Sequence, residues 1–200
     1  MKKLLITSAM MLTSLFSTAG TVGVDVDHVR NAAGQVSGMA HILRWNDTVD
    51  GINYGLSNRT VTYGSNPSSP VPSAKLRSAD GWGMWNNFEG SVGKTFDIGL
   101  PFKVSPFVAA GYDDGRNGAV NASFWYTRVG VGTGFPVGPG RLNLGVNTRL
   151  NFESSDPKQS VVSAVYSVPV TQKLSVSLRV INSYQTIKED YRGIGLTYKF

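Results

Sequence analysis

Four arginines, Arg59, Arg128, Arg149 and Arg179, each lie in a stretch where polar and apolar residues alternate, and each falls at a polar place. On extended strands such places share one face of a sheet. A ring of guanidinium groups on that face attracts anions, repels cations, and grips carboxylates or phosphates through paired N–H donors. Asp25, Asp27 and Glu89 fall on the same face and are the candidate counter-charges. Two outcomes are open: arginines free to line a path for small anionic solutes, or arginines neutralised by these acids and closing the path.

Other constellations predict less chemistry. Asp25-Val-Asp27-His28 brings two acids and a histidine together, and Asp113-Asp114 pairs two more acids. A serine hydrolase needs a histidine beside its nucleophile. The only histidines are His28 and His41, and no serine is placed to meet either. Two histidines, no cysteine and scattered acids give no metal-ligand spacing. Asp113 to Gly118 lacks the acid spacing and closing glutamate of a calcium loop and reads as an external turn. Gly130, Gly132 and Gly134 suggest a phosphate loop, but no helix follows to supply the dipole. Glycines there are expected to ease strand packing. The expectation is therefore no enzyme, no metal and no cofactor. The formal net charge is +6, yet no lysine or arginine stripe accompanies it, so nucleic acid is not an expected partner.

The alternation that places the arginines recurs along the chain. Arg141 to Phe152 is its cleanest instance: Leu142, Leu144, Val146, Leu150 and Phe152 on one side, Asn143, Gly145, Asn147, Arg149 and Asn151 on the other. A strand buried on both faces does not carry a polar residue at every second place, so the pattern demands two solvents, one per face. Similar stretches run over Thr21 to Arg30, Val36 to Trp45, Gly51 to Tyr63, Phe88 to Leu100, Val104 to Tyr112, Ser123 to Phe135, Ser160 to Val170, Lys173 to Asn182 and Tyr191 to Phe200. The expected fold is all-β: a single antiparallel transmembrane β-barrel of ten strands, or eight if part of 20–50 is not barrel.

Charged residues make up 16% of the chain, against about 25% in soluble domains, as a lipid-facing exterior requires. Short connections at 101–103, 136–140 and 171–172 then share one end. The polar segments Gly64 to Asn87, Asp113 to Asn121, Glu153 to Gln159 and Asn182 to Asp190 become loops at the other, with Trp82 and Trp85 at the outer interface. The aromatics Tyr54, Trp125, Phe135, Phe152, Tyr198 and Phe200 point outward as interfacial girdles. Lys94 has outward parity too, a position that costs ~2–4 kcal/mol at mid-membrane unless it reaches a rim. In Val36 to Trp45 one parity exposes His41 to lipid and the other Arg44. Arg44, nearer the strand end, is the residue expected to point outward.

At the N-terminus, Lys2 and Lys3 precede an apolar run, Leu4 to Phe16, and the small residues Ser17-Thr18-Ala19. This pattern is expected of a secretory leader with a cleavage site, giving residues 1–19 as the expected signal peptide and 20–200 as the expected barrel.

The closing segment YRGIGLTYKF, with Ile194, Leu196, Tyr198 and Phe200 on one side, resembles the last strand of Gram-negative outer-membrane β-barrels. That resemblance implies an outer-membrane location, contact with lipid and lipopolysaccharide, and a C-terminal signal at Tyr198 and Phe200 read by the barrel assembly machinery. The opening TVGVDVDHVRNAAGQVSGMAHILRWNDTVDGINYGLSNRT is similar to the start of the small monomeric porins specific for acidic oligosaccharides. It implies a porin-like channel favouring anions, with Arg59, Arg128, Arg149 and Arg179 as the lumen arginines. This chain is about one hairpin shorter than that family's twelve strands. The competing expectation is a surface interaction protein, serving adhesion, resistance or reception, that acts through its loops around a plugged lumen.

Overall fold

Strict alternation leaves each strand with an apolar face that only lipid can cover and a polar face that only an enclosed space can. A sheet satisfies both by closing on itself, which also removes its unpaired edges. The computed structural model describes residues 20–30, 36–63, 83–100, 102–117, 120–152, 158–184 and 189–200. The expected leader 1–19 and most of the expected Gly64 to Asn87 loop lie outside them.

In chain order the strands are β1 (Thr21–Arg30), β2 (Val36–Val49), β3 (Ile52–Tyr63), β4 (Gly83–Lys94), β5 (Phe96–Asp97), β6 (Lys103–Asn117), β7 (Val120–Val137), β8 (Gly140–Asn151), β9 (Lys158–Pro169), β10 (Leu174–Tyr184) and β11 (Glu189–Lys199). Sequence neighbours pair antiparallel, β1 pairs with β11, and both β4 and β5 pair with β6, so the sheet closes. Gly93 faces Phe107 and Phe96 faces Val104 in one continuous register. The break between them lies opposite Pro106, which has no N–H to give to the ladder. Thus β4 and β5 are one interrupted stave, and the described residues form a closed barrel of ten strands.

Gly20 and Phe200 share one end of the barrel, where the Phe200 amide donates to the Gly20 carbonyl. The tight connections 50–51, 138–139 and 170–173 lie at that turn end, as do Asp97, the last residue of β5, and Lys103, the first of β6. Asp50 and Gly51 both have positive φ, 52° and 76°, as a two-residue hairpin turn of type I′ requires.

Side chains alternate as a membrane barrel demands. Leu144 and Val176 are 39% and 41% exposed on the outer wall, whereas Ser177 is 4% exposed inside. Lys94 does face outward, but it pairs with Ile52, the first residue after the Asp50–Gly51 turn, so it stands at the rim. Its Nζ lies 5.7 Å from the centre of the Phe96 ring.

Three expectations need correction. Arg44 points inward and His41 outward, the reverse of the reading from strand ends. Arg44 reaches Asp25 inside, and an imidazole is cheaper to leave on the outer wall than a guanidinium. The strands also run further toward the loop end than their turn-like composition suggests. β6 continues through Asp113 to Asn117 and β7 begins at Val120, so Asp113 is a strand residue, not a loop residue. Likewise β4 begins at Gly83, and Trp85 lies inside the barrel against its apolar cluster instead of at the outer interface.

Candidate functional site in the barrel lumen

The inward positions form three tiers along the axis. Toward the turn end the wall carries small neutral residues, Gly23, Gly55, Ser91, Ser105, Gly132 and Ser177, with the inward-parity Asp97, Lys103 and Arg141 at the rim below them. A recess of about 360 Å³ opens there between Asn46, Asn53, Ser91, Ser105 and Gly132. The middle tier carries most of the charges. Nearest the loop end, Val29, Ala40, Val61, Tyr63 and Tyr191 pack together with Trp85 and Ile181 as an apolar cluster.

The charged tier consists of two networks. On one wall Asp25, on β1, takes a hydrogen bond of 2.7 Å from Arg44 Nη2 on β2 and an ion pair from Arg179 on β10. Arg44 Nε also lies 2.6 Å from Asp25 Oδ2 as an ion-pair contact. Arg179 Nε stands 3.3 Å from Asp27 Oδ1. Arg59, on β3, stacks its guanidinium 4.1 Å from the centre of the Tyr191 ring. Space for these carboxylates comes from glycine. A Cβ on Gly195 would collide with the Asp25 carboxylate, and one on Gly193 with Asp27.

On the opposite wall Arg128, on β7, is ion-paired with Glu89 on β4, and Arg149, on β8, with Asp113 on β6. Tyr126 joins the pairs. Its hydroxyl donates to Glu89 Oε2 at 2.9 Å and accepts from Asn87 Nδ2 at 2.8 Å, and Asn87 also donates to Asp113. The Arg149 guanidinium lies 3.6 Å from the centre of the Tyr126 ring, and its Nε donates to Asn151 Oδ1 at 2.6 Å. Arg128 sits 5.1 Å from the centre of the Phe107 ring.

Asp25 and Asp27 are 0% exposed, and Asp113 and Tyr126 1%. Their arginine partners shield these groups from water, while the arginines themselves keep part of their surface open to the lumen, 30% for Arg44 and 27% for Arg128. Breaking a buried pair by removing one partner costs about 3–5 kcal/mol, because a charge is left uncompensated. The networks therefore tie neighbouring staves of the wall together from inside the barrel.

The four arginines singled out from the sequence all face inward, in two pairs on two walls and not as one ring. Arg59 and Arg149 lie toward the loop end, Arg128 and Arg179 near the middle of their strands. Sequence reading missed Arg44, Asp113, Tyr126 and Asn87. The inward run Gly111, Asp113, Gly115 continues the alternation of β6 and would have exposed Asp113, had Asp-Asp-Gly not been taken as a turn. Both histidines face outward, away from the lumen acids. Among the described residues no group of three or more His, Cys, Asp or Glu side chains could hold a metal ion.

The outer wall decides the class. Val24, Leu43, Leu56, Val92, Val108, Val129, Leu144, Val176, Leu178 and Leu196 form a broad exposed apolar band. Aromatics border it, with Tyr198 and Phe200 edge-to-face at 5.6 Å near the turn end and Tyr112 and Trp125 at 5.1 Å toward the loop end. A closed antiparallel barrel with this exterior is built for the bacterial outer membrane. The chain is an outer-membrane β-barrel.

No protein-family model matches the sequence, and no curated protein matches it either. Solved structures share the barrel's shape. It is similar to the translocator domain of the autotransporter NalP from Neisseria meningitidis, at 8% identity over 96% of this chain and 92% of that one, with a TM-score of 0.54. It is similar to the beta domain of the Bordetella autotransporter BrkA, at 10% identity over 92% and 100%, with a TM-score of 0.53. The KdgM porin aligns at 12% identity over 90% and 99%, with a TM-score of 0.42.

Proposed function

We propose that this barrel rests with its lumen closed and serves the cell surface through the segments at its loop end. The observation that carries this reading is the complete burial of Asp25, Asp27 and Asp113 against arginines in mid-lumen. An apolar cluster at the loop end adds a second closure that a hydrated anion would not cross. The longest connection there, 64–82, is rich in proline, serine and glycine and is the first candidate for contact with a partner.

A second reading rests on charge. Inward cations Arg44, Arg59, Arg128, Arg149 and Arg179 outnumber the inward acids Asp25, Asp27, Glu89 and Asp113 in the charged tier. If the closure opens, the path favours anionic solutes. No enzymatic role belongs to either reading, since His28 and His41 stand on the outer wall, apart from the buried acids. Tyr198 and Phe200 fit a terminal signal for the barrel assembly machinery, and residues 1–19 fit a cleaved leader.

Planar-bilayer recording separates the readings. The closed-lumen reading expects no sustained conductance from the purified protein and loss of surface binding when 64–82 is deleted from a barrel that still folds. Steady anion-selective steps that weaken on Arg149→Ser or Arg128→Ser would replace it with the channel.

A further inference from the structure

The aromatic border at the loop end is not continuous. Over β6 to β10 it includes Tyr112, Trp125, Phe152 and Tyr184 on the outer wall. Over β11, β1, β2 and β3 the described outward residues at that end are of another kind. Arg192 on β11 stands directly opposite His28 on β1, and His28 opposite Met39 on β2. His41 follows on the same face of β2, opposite Thr60 on β3. Arg192, His28 and His41 are all exposed. Two residues further toward the loops, Arg30 stands opposite Asp190 across β1 and β11, so an arginine and an acid share that register position. Among the described residues no ion pair answers Arg192, and Ile194 and Leu178 lie below it on the apolar band.

Height fixes what can lie beside this patch. Arg192 is ~27 Å along β11 from Phe200, or ~20 Å above it at a ~40° tilt, against an apolar band ~25 Å tall. Its Cα therefore stands ~5 Å below the outer boundary of the hydrocarbon, a distance its long side chain spans to bring the guanidinium to the lipid headgroups. A charge there costs only ~0–1 kcal/mol on the lipid face and is placed to meet an opposite charge among the headgroups.

We propose that Arg192 and His28, flanked by His41 and Thr60, form a site on the outer wall for the phosphate of an outer-leaflet glycolipid. The guanidinium supplies paired donors suited to phosphate and the imidazoles supply further N–H donors. The acyl chains run down over Ile194, Leu178 and Leu196. A second copy of this chain is a poorer occupant, because a two-fold contact through this face sets the same cationic groups against each other. The site lies outside the lumen and stands whether or not the lumen conducts.

Native mass spectrometry of the purified protein in detergent tests the site, with three probes: bisphosphorylated lipid A, the same glycolipid without phosphates, and inorganic phosphate. Wild type should retain the phosphorylated lipid and neither of the others. Arg192→Gln with His28→Asn should weaken retention about tenfold or more, the worth of a charge-assisted contact. Arg192→Lys should keep most of it and guards against a variant that fails to fold, as judged by heat-modified gel mobility. Lys94→Gln, a charge removed from the opposite rim, should change nothing. Equal retention of the dephosphorylated lipid, equal binding of inorganic phosphate, equal loss in Lys94→Gln, or unaltered binding in the double variant would each overturn the site.

Discussion

At the scale of single residues, the lumen is a set of charges that tolerate little change. Asp25 compensates both Arg44 and Arg179 and is wholly buried. Asp25→Asn keeps the shape and removes the charge, so it should lower stability by about 3 kcal/mol, read as a drop in the urea midpoint of unfolding from detergent micelles. A loss below about 1 kcal/mol would mean that water or lattice-like rearrangement of neighbouring donors replaces the pair. Gly195 tests the same contact from the other side. Gly195→Val drives a side chain into the Asp25 carboxylate and Ser177 Oγ. It should cost at least about 1–3 kcal/mol as overpacking, and folding yield in detergent will report it.

At the scale of elements, the turn end is where local sequence decides geometry. Asp50 and Gly51 close the β2–β3 hairpin in a left-handed conformation that a β-branched residue resists. Gly51→Val is expected to cost about 1 kcal/mol or more, seen as a lower urea midpoint, while Asp50→Asn should be nearly silent because asparagine also accepts positive φ. The interruption between β4 and β5 has an equally local cause in Pro106. At the chain's end, Phe200 touches Tyr198 and its amide bonds to Gly20, so it also helps close β1 on β11. Deleting Phe200 should slow assembly into the membrane in cells while leaving refolding in detergent largely intact. Comparable losses in both would make its role one of packing alone.

At the scale of the whole molecule, the two networks and the apolar cluster lie in series along one axis. On the proposed closed-lumen reading, opening the lumen to ions requires both to yield. Removing charges on one wall, as in Glu89→Gln with Asp113→Asn, leaves Arg128 and Arg149 uncompensated but leaves the loop-end cluster of Val29, Val61 and Tyr191 in place. Planar-bilayer recordings of that double variant should therefore stay quiet or show only brief anion-selective events. Large steady conductance would place the whole barrier in the ion pairs and none in the apolar tier.

What the sequence determined by itself was everything with a period of two. Alternation is local, each residue choosing between lipid and interior according to its own side chain, so the strands, the barrel, the outward Leu144 and Val176 and the inward Arg128 and Arg149 could be read from the chain directly. Strand ends near the loops could not, because residues of turn-like composition there masked an alternation that in fact continues. Asp-Asp-Gly at 113–115 and the glycines beside Trp82 and Trp85 were read as loop, and so Asp113 and Trp85 were misplaced. Only the tertiary structure decided which acid meets which arginine. Arg179 reaches Asp25 across 154 residues of sequence, through a register set by closure of β11 on β1. Parity names the face a charge occupies, but strand stagger around a closed cylinder sets its height and neighbour, and stagger is a property of the closed sheet and of no single strand.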